Sequence, residues 1–511
     1  MWMKYLVFLS LFHDFSPQVE CAKILGVFHM CGPSHYLAGS SLMRILSENG
    51  HDVTIVAAFS EKNPPPNYKQ VVLTGQNEKL RAFRPNFFDK TFTTFDRPFD
   101  FNKMSISLIE DMFNHTEFRK FMGSNQTFDV VIVEEFQSEA VKYLAHHFKA
   151  PLIIYSSMDT NEWTNPYLGN PDSPAYIPNV FHKFSCQMSF FERVHNTFYY
   201  VYSNLVRVLI NIPMHNRLVQ KYFPGAPDID DIIYNVSLAL LNSDVSIHTP
   251  VPKVPSMVNI GGFHLKEPKP LPEDLQTILN DTKDGIIYFS LGSTLKSSMM
   301  PKEKLELLFR VFSGLKETVL WKYEEDNLTG KPPNVITRKW FPQSDILAHK
   351  NVKLFINHGG IFGIMEAIYH GIPMLSFPVF AEQNMNSIRA ATDGYGMFIP
   401  FNELTEEKLV VYLREMLENP RYKENAMKRS KIMRDKPISP KDAVNFWVDY
   451  VIRHKGAPHL RVASLDLEWY QYLLLDVVSF LLILSVIFAY VCKFIIKSIL
   501  MNVMKRKKKI H

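Results

Sequence analysis

Short apolar segments of strand length alternate with helical patterns along most of this chain, and this alternation constrains the fold more than any other feature. Near the start, KILGVF from Lys23 to Phe28 is followed by a helical pattern and then by DVTIVAAF from Asp52. This order is typical of a parallel sheet with helices packed on its faces. Further apolar segments of the same kind are FDVVIVEE, APLIIYSS and SLALLNSD. We therefore expect residues 23–250 to form an α/β domain.

A proline-rich stretch interrupts this pattern over residues 251–280 and predicts a connection between two domains. After it the alternation resumes, from GIIYFSLGS to GMFIP. We therefore expect a second α/β domain over residues 281–460, and two doubly wound, Rossmann-like domains that face each other across a cleft. Ligands of open parallel sheets bind beyond the carboxyl ends of the strands, so we expect the functional site there.

One predicted strand of the second half ends in a turn of one histidine and two glycines before a helix begins. These residues are His358, Gly359 and Gly360, within FINHGGIFGIMEAIYHG. The first N–H groups of a helix have no partner inside it, and they carry the positive end of the helix dipole. Because glycine lets a ligand approach the backbone closely, the junction predicts a binding site for phosphate oxygens.

The N-terminus has the composition of a targeting signal. Lys4 precedes an apolar run from Tyr5 to Phe12, which is too short to span a bilayer but typical of a signal peptide. We expect residues 1–22 to be removed as this signal. The alternative is a first buried strand, although KILGVF matches a strand better.

An uncharged segment near the other end, Val477 to Cys492, predicts a transmembrane helix over residues 473–496. The basic tail, residues 497–511, should stay in the cytosol, which places the preceding body in the lumen. Lys508 and Lys509 resemble a dilysine signal for retrieval to the endoplasmic reticulum; a basic stop-transfer anchor without retrieval is the alternative. We expect a single-pass type I protein of the endoplasmic reticulum membrane.

A lumenal body agrees with five acceptor sequons for N-glycosylation. They lie at Asn114, Asn125, Asn235, Asn280 and Asn327. Cysteine is sparse, with only Cys31 and Cys186 expected in the lumen, so the chain is not a disulfide scaffold. Whether these two cysteines pair is left open by the sequence.

Composition excludes several other classes of protein. With 46% hydrophobic and 21% charged residues the chain is globular, and its net charge of +5 gives no basic face for nucleic acid. The run Asp228 to Asp231 superficially resembles a metal-binding DxD motif. It follows a Pro-Gly turn and precedes the helical pattern IIYNVSLAL, so we interpret its carboxylates as the start of a helix. No metal site and no cofactor are predicted.

The segment from Trp340 to Gln383 closely resembles the signature of the UDP-glycosyltransferases. The matching residues are Trp340, Pro342, Gln343, His349, His358, Gly359, Gly360, Glu366, Gly371, Pro373, Pro378 and Gln383. The resemblance extends through PSHY, GHDVTIV, SLGS and EWYQYLLLD. It favours the animal, membrane-anchored, UDP-glucuronosyltransferase-like branch of arthropod type, and it implies a GT-B fold.

The resemblance also implies which residues bind the donor. Trp340 would stack on uracil, His358 and its turn would hold the diphosphate, and Glu366 would accept hydrogen bonds from the ribose hydroxyls. The complete UDP-binding set is Ser293, Trp340, Gln343, His358, Gly359, Gly360 and Glu366.

The sugar-binding pair departs from the family pattern. Glu382 and Gln383 match an Asp-Gln pair, and the longer glutamate leaves the choice of sugar open. Phe362 stands where relatives often have a small or polar residue, and its ring either packs or narrows the site.

The resemblance assigns the catalytic base to His35, in CGPSHY, just after the first predicted strand. A histidine with an ordinary pKa near 6.5 can take a proton from an acceptor hydroxyl at neutral pH. Glu134, at the end of FDVVIVEE, aligns with the aspartate that orients this histidine in the family. Glu135 would point to the opposite face if the strand continues.

Together these features predict an inverting transferase that moves a sugar from a UDP-sugar to a hydroxyl of a small lipophilic acceptor, as in detoxification. UDP-glucose is favoured over UDP-glucuronate as donor, and the acceptor pocket is expected in the aromatic region of residues 83–222. A silent family member that binds UDP-sugar and regulates a partner transferase is the alternative, since Glu134, Phe362 and Glu382 depart from the pattern. A third hypothesis, a transferase that galactosylates a lipid, differs from the first hypothesis only in the acceptor. Membrane lipid is an expected partner, and oligomers with related transferases are compatible with the sequence.

Overall fold

The computed structural model describes residues 21–83, 88, 95–326, 328–380 and 382–507. The body up to Arg461 is one compact unit, and the chain from Val462 onward is another. The body contains two parallel sheets with helices around them, which confirms the predicted architecture of two Rossmann-like domains. The predicted signal peptide lies outside the described residues except for Cys21 and Ala22, and Asn327, Lys508 and Lys509 also lie outside them.

The first sheet has the strand order β3-β2-β1-β4-β5-β6-β7, with every neighbouring pair parallel. Its strands are β1 (Lys23–Phe28), β2 (Asp52–Ala57), β3 (Tyr68–Val72), β4 (Val130–Glu134), β5 (Leu152–Ser156), β6 (Val236–Leu241) and β7 (Met257–Asn259). All residues of β4 and β5 are buried, as expected for strands covered by helices on both faces.

Helices connect these strands and cover both faces of the sheet. They are α1 (Pro33–Glu48), α2 (Gln76–Phe83), α3 (Arg97–Asn114), α4 (Thr116–Met122), α5 (Glu139–Phe148), α6 (Asn165–Leu168), α7 (Phe190–Val206) and α8 (Ile212–Tyr222). A π-helical turn, Arg207–Asn211, joins α7 to α8.

The second sheet has the order β10-β9-β8-β11-β12-β13 and is also parallel. Its strands are β8 (Ile286–Ser290), β9 (Thr318–Lys322), β10 (Val335–Arg338), β11 (Val352–Asn357), β12 (Met374–Ser376) and β13 (Gly396–Phe398). The helices of this half of the chain are α9 (Glu273–Asp281), α10 (Lys302–Ser313), α11 (Gln343–Leu347), α12 (Ile361–Tyr369), α13 (Gln383–Thr392), α14 (Glu406–Glu418), α15 (Arg421–Arg434) and α16 (Pro440–Arg453).

Two elements depart from the predicted domain boundaries. Strand β7 lies inside the proline-rich stretch 251–280 and pairs with β6, so this stretch contributes to the first sheet. Helix α16 lies within 281–460 but returns to the first domain, where Val444 and Val448 join the core formed by strands β1 and β4. Local patterns could not predict either placement, because both depend on distant partners.

The acidic run Asp228 to Asp231 does not begin a long helix. Only a single 3-10 turn, Ile229–Asp231, follows Asp228, whose side chain accepts a hydrogen bond from the N–H of Asp230. The pattern IIYNVSLAL, which we interpreted as helical, contributes most of strand β6 instead. Its apolar run is too short for periodicity alone to separate a strand from a buried helix.

The second unit contains α17 (Trp469–Tyr472) and α18 (Leu475–Lys507). The segment Leu475–Lys505 of α18 contains an 18-residue stretch with a mean hydropathy of 2.5 and is long and apolar enough to cross a bilayer, so it fits a membrane anchor. The helix extends beyond the predicted span 473–496 and continues through the described part of the tail. All four cysteines have free thiols, so Cys31 and Cys186 do not pair in this structure.

Candidate active site

The turn after β11 has the geometry of a site for an anionic group. Gly359 has a φ of +84°, and a Cβ on it would lie 2.6 Å from Oγ of Ser387, so only glycine fits. The N–H of Gly359 donates to Oδ1 of Asn357 at 2.7 Å. The first helical bond runs from the N–H of Ile364 to the oxygen of Gly360, which leaves the earlier N–H groups of α12 available to a ligand.

His358 lies between this turn and the loop after β8. A Cβ on Gly292 would lie 2.6 Å from Cε1 of His358, so that loop, which also carries the exposed Ser293, packs directly on the imidazole. Burial lowers the pKa of His358 to about 4, and the charge of Lys322 adds to this effect. The ring is therefore neutral at pH 7, and its buried Nδ1 has no hydrogen-bond partner among the described residues.

Two further residues that are predicted to bind UDP, Gln343 and Glu366, contact each other. Nε2 of Gln343 donates to Oε2 of Glu366 at 2.5 Å. Burial raises the pKa of Glu366 to about 7, against the effect of this hydrogen bond. Trp340 precedes α11 and is 71% exposed, so it does not belong to the core and its ring is available for stacking.

The predicted sugar pair lies at the start of α13. Gln383 is buried, and its Oε1 accepts from the N–H groups of Val379 at 2.9 Å and Phe380 at 3.1 Å, so this oxygen stabilises the preceding loop. Glu382 is the N-cap residue of α13. Burial raises the pKa of Glu382, while the nearby charges of His35 and Arg97 act in the opposite direction.

His35 and Glu134, from different elements of the first domain, form a hydrogen-bonded pair. His35 lies in the first turn of α1 and Glu134 ends β4, with Nδ1 and Oε1 2.5 Å apart. Burial lowers the pKa of His35, but the charge and hydrogen bond of Glu134 raise it more, so the pKa lies above its usual value. Glu382 contributes a smaller rise from the second domain.

Glu135 has a different environment from its neighbour Glu134. The strand ends at Glu134, and Glu135 forms a fully buried ion pair with Lys142 of α5 at 2.7 Å. Burial raises the pKa of Glu135 to about 7, and Lys142 opposes this rise. The structure therefore brings Glu134, and not Glu135, to His35.

Phe362 packs against another aromatic ring. Its ring centroid lies 4.7 Å from that of His264, in the stretch between the two domains, and Phe362 contacts core clusters of both domains. Of the two alternatives for Phe362, the structure therefore favours packing over a narrowed phosphate site.

Both domains line one cavity at the carboxyl ends of their strands. Its lining includes Met158 and Thr160 from the first domain and Ile361, Glu382 and Asn386 from the second. Ile361 directly follows the His358 turn, so this turn and the start of α13 at Glu382 line the same cavity, and Glu382 is near enough to His35 for its charge to raise the pKa of that histidine. Among the described residues, no group of three or more His, Cys, Asp or Glu side chains could hold a metal ion.

Sequence reasoning missed three polar residues of this region. Asn357 and Asn386 hold the turn, since Nδ2 of Asn386 donates to the oxygen of Gly359 at 3.0 Å. An asparagine at the end of an apolar strand was the available signal for Asn357. Arg97, whose guanidinium lies 5.0 Å from the ring centroid of Phe181, carries no local signal.

Comparisons with known proteins show the family of this chain. The model of the family "UDP-glucoronosyl and UDP-glucosyl transferase" matches residues 7–510. The chain is 35% identical to UDP-glucosyltransferase 2 of Dactylopius coccus over 97% of this chain and 96% of that protein. It is 32% identical to UDP-glucuronosyltransferase 1A3 of Rattus norvegicus over 92% of this chain and 91% of that protein.

Solved structures show the same fold at low sequence identity. The crystal structure of UDP-glucose: anthocyanidin 3-O-glucosyltransferase in complex with UDP superposes with a TM-score of 0.55 and 13% identity, covering 85% of this chain and 99% of that one. CalG4, the calicheamicin glycosyltransferase, gives a TM-score of 0.55 at 16% identity, covering 85% and 99%. Both support the two-domain GT-B fold. Since the family model spans almost the whole sequence, the chain belongs to the UDP-glucuronosyl and UDP-glucosyl transferase family.

Proposed function

We propose that this UDP-glycosyltransferase inverts the anomeric centre as it transfers a sugar, with UDP-glucose preferred to UDP-glucuronate, to a hydroxyl of a small lipophilic acceptor. The observation that carries the proposal is the His35–Glu134 pair, because it holds an imidazole with a raised pKa beside Glu382 of the donor domain. No metal ion is required by this scheme, since the groups proposed to stabilise the diphosphate are backbone N–H groups, the hydroxyl of Ser293 and the neutral imidazole of His358.

The chemical step follows from the orientation of His35. A carboxylate only accepts hydrogen bonds, so Nδ1–H of His35 donates to Glu134 and the lone pair of Nε2 is free for the acceptor hydroxyl. The acceptor oxygen attacks the anomeric carbon as Nε2 takes its proton. The bond from that carbon to the diphosphate oxygen breaks, and its electron pair leaves with UDP. Glu134 stabilises the resulting imidazolium.

The donor would be held by the set around the turn after β11. The N–H groups at the start of α12 and the neutral imidazole of His358 would donate to the diphosphate, whose charge grows as the bond breaks. Glu366 and Gln343 would meet the ribose, and Trp340 would cover uracil by stacking. Ser293 lies on the loop that packs against His358 and would donate to the same phosphates.

A lipophilic acceptor is supported by the aromatic surroundings of His35. Its ring lies 5.4 Å from that of Phe136, which in turn lies 4.9 Å from the ring of Trp163, centroid to centroid. Phe101 and Phe181 stack in the same cluster. Rings of this kind favour an apolar acceptor body whose hydroxyl reaches Nε2, as in detoxification or the conjugation of endogenous compounds.

The preference for glucose is supported by the relative named UDP-glucosyltransferase 2. A substitution of Glu382, which is proposed to contact the sugar, tests this preference. Glu382→Asp should change the relative kcat/KM among UDP-glucose, UDP-galactose, UDP-N-acetylglucosamine and UDP-glucuronate by a factor of roughly 5 to 150, as for one charged hydrogen bond gained or lost. Aspartate is one methylene shorter, so its oxygens would meet the sugar at a different place. Competition between these donors measures the ratios directly.

Two further variants control this experiment. Gln383→Ala should lower kcat/KM for all donors together, because the loop that Oε1 of Gln383 holds would also move. Glu403→Asp, at an exposed position of the same domain, should leave every ratio unchanged. Donor ratios that stay within about twofold in Glu382→Asp would remove Glu382 from the sugar site, and a wild-type chain that transfers no sugar would favour the silent, regulatory role.

We also propose that the body lies in the lumen of the endoplasmic reticulum, with the signal peptide removed and the tail cytosolic. The described sequon residues Asn114, Asn125, Asn235 and Asn280 are all exposed, which supports their glycosylation. Endoglycosidase should therefore lower the mass of the expressed protein, and an antibody against KRKKKIH should bind sealed microsomes. A tail that becomes accessible only after permeabilisation would reverse the orientation.

A further inference from the structure

Arg97, the first residue of α3, forms no ion pair with any residue that the structure describes. Its side chain is half-buried, and its Nε is buried with no hydrogen-bond partner in the same part of the chain. The guanidinium has five N–H donors and stays charged at any physiological pH. Because a buried donor without a partner costs free energy, Arg97 is suited to meet an anionic group of a ligand.

The guanidinium of Arg97 lies in aromatic surroundings. Its central carbon, Cζ, stands over the ring of Phe181, 5.0 Å from the ring centroid. Phe181 belongs to the buried aromatic cluster that also contains Tyr199. A cation–π contact stabilises the charge but supplies no acceptor oxygen for the N–H groups. In such surroundings, where little water competes, a carboxylate would bind the guanidinium more strongly than at an exposed site.

A row of rings connects this cation with the proposed base. The ring of Phe181 stacks on that of Phe101, with centroids 5.3 Å apart, and Phe101 lies 5.7 Å from Phe136. Phe136 in turn lies 5.4 Å from the ring of His35. These are the rings that we propose as the surroundings of a lipophilic acceptor. His35 and Arg97 therefore mark the two ends of one apolar row.

The second domain also approaches Arg97. Burial raises the pKa of Glu382, and the charges of both His35 and Arg97 act in the opposite direction. Burial lowers the pKa of Arg97, an effect that Tyr199 and Glu382 oppose. Since Glu382 starts a helix of the second domain, Arg97 lies on the side of the first domain that faces the cleft. This is the side from which an acceptor would reach the donor sugar.

We propose that Arg97 forms a subsite for a carboxylate of the acceptor, so that the site favours lipophilic hydroxy acids with the hydroxyl and the carboxylate at opposite ends of an aromatic body. The subsite rests on the proposed function, because it assumes that the acceptor presents its hydroxyl to His35. The carboxylate would accept two hydrogen bonds from the planar guanidinium. The aromatic body would lie along the rings between the two polar ends.

Binding measurements test this subsite without a need for turnover. The probes are 6-hydroxy-2-naphthoate and its methyl ester, which share the ring and the hydroxyl but differ in charge. Equilibrium dialysis of the full chain with UDP, against the same detergent solution, gives the Kd of each probe. We expect the acid to bind about tenfold or more tightly than the ester, and Arg97→Met to remove most of this ratio, as for a charge-assisted pair.

Two further variants separate charge, geometry and unspecific effects. Arg97→Lys keeps the charge but not the planar fork of donors, and should give an intermediate ratio. Arg217→Met changes an exposed arginine of α8 in the same domain and should keep the ratio of the unmodified protein. Thermal unfolding verifies that each variant is folded. Values of kcat/KM for the two probes with UDP-glucose should follow the same order.

Several outcomes would contradict the subsite. Equal Kd values for acid and ester in the unmodified protein would overturn it, as would a ratio that Arg97→Met leaves unchanged or an equal loss of both probes. A shifted preference between UDP-glucuronate and UDP-glucose, with the acid-to-ester ratio unmoved, would instead assign Arg97 to a donor carboxylate. A chain that binds the acid through Arg97 but transfers sugar to neither probe would support the subsite and contradict the proposed function.

Discussion

Replacing His35 with alanine should lower kcat by roughly 10² to 10⁴, the usual contribution of a general base, while the Kd for UDP stays nearly unchanged. His35 belongs to the first domain and is bonded to Glu134, whereas the groups proposed for UDP belong to the second domain. The imidazole of His35 is the proposed acceptor of the hydroxyl proton, and we propose no other group that could accept this proton in the variant. Steady-state turnover with UDP-glucose and titration of UDP binding measure the two quantities.

A matched histidine on the same domain provides the control. His146 of α5 is exposed, and His146→Ala should leave both turnover and UDP binding as in the unmodified protein. If His35→Ala folds, binds UDP and turns over within about threefold of normal, His35 is not the base. If UDP binding fails as well, the first domain contributes to the donor site more than we propose.

The strand-turn-helix junction at His358 could be predicted from sequence because its signals are local. The apolar run of β11, the adjacent glycines and the apolar start of α12 lie within about one supersecondary unit. Each signal reports a backbone requirement, such as the positive φ of Gly359, that few other residues satisfy. Local requirements of this kind are visible without knowledge of the rest of the fold.

Other features could not be predicted because they depend on distant partners. Helix α16 has an ordinary amphipathic pattern, and nothing in it reveals that Val444 packs on the first sheet or that Asp449 pairs with the buried His51 at 3.0 Å. Gln383 was predicted from the family pattern to bind sugar, and only the structure shows that its oxygen is used by the backbone of Val379 and Phe380. A helical pattern also cannot tell which face of α7 is outward.

The roles of the neighbouring residues Glu134 and Glu135 could be predicted only in part. Alternation along a strand places successive side chains on opposite faces, which separates Glu134 from Glu135 but does not say what each one meets. The structure adds Lys142, whose ion pair with Glu135 neutralises the second carboxylate in a fully buried position. Glu134 is the carboxylate that is hydrogen-bonded to His35, and it acts against burial as the main group that raises the pKa of that histidine.

Glu134→Gln should therefore lower kcat by about 10² to 10⁴ and shift the acidic limb of the pH profile of kcat/KM to lower pH. The negative charge of Glu134 raises the pKa of His35, and burial lowers it. Glutamine removes the charge and leaves the burial, so the pKa of His35 must fall. The base acts as the neutral imidazole, so activity falls when acidification protonates His35. Since the pKa of His35 is lower in the variant, its activity persists to lower pH than that of the unmodified enzyme. Its maximum activity is smaller. Initial rates between about pH 5 and 9 give both quantities.

Glu134→Asp separates charge from geometry in the same position. Aspartate keeps the negative charge but is one methylene shorter than glutamate. Since Oε1 of Glu134 lies 2.5 Å from Nδ1 of His35, the shorter side chain would hold the imidazole less firmly. We expect an acidic limb closer to that of the unmodified enzyme than the limb of Glu134→Gln, with an intermediate kcat. A glutamine variant whose limb does not move would mean that Glu134 does not set the pKa of His35. Equal losses in both variants with unmoved limbs would reduce Glu134 to a packing residue, because removing a carboxylate from a working pair has to change the titration of its partner.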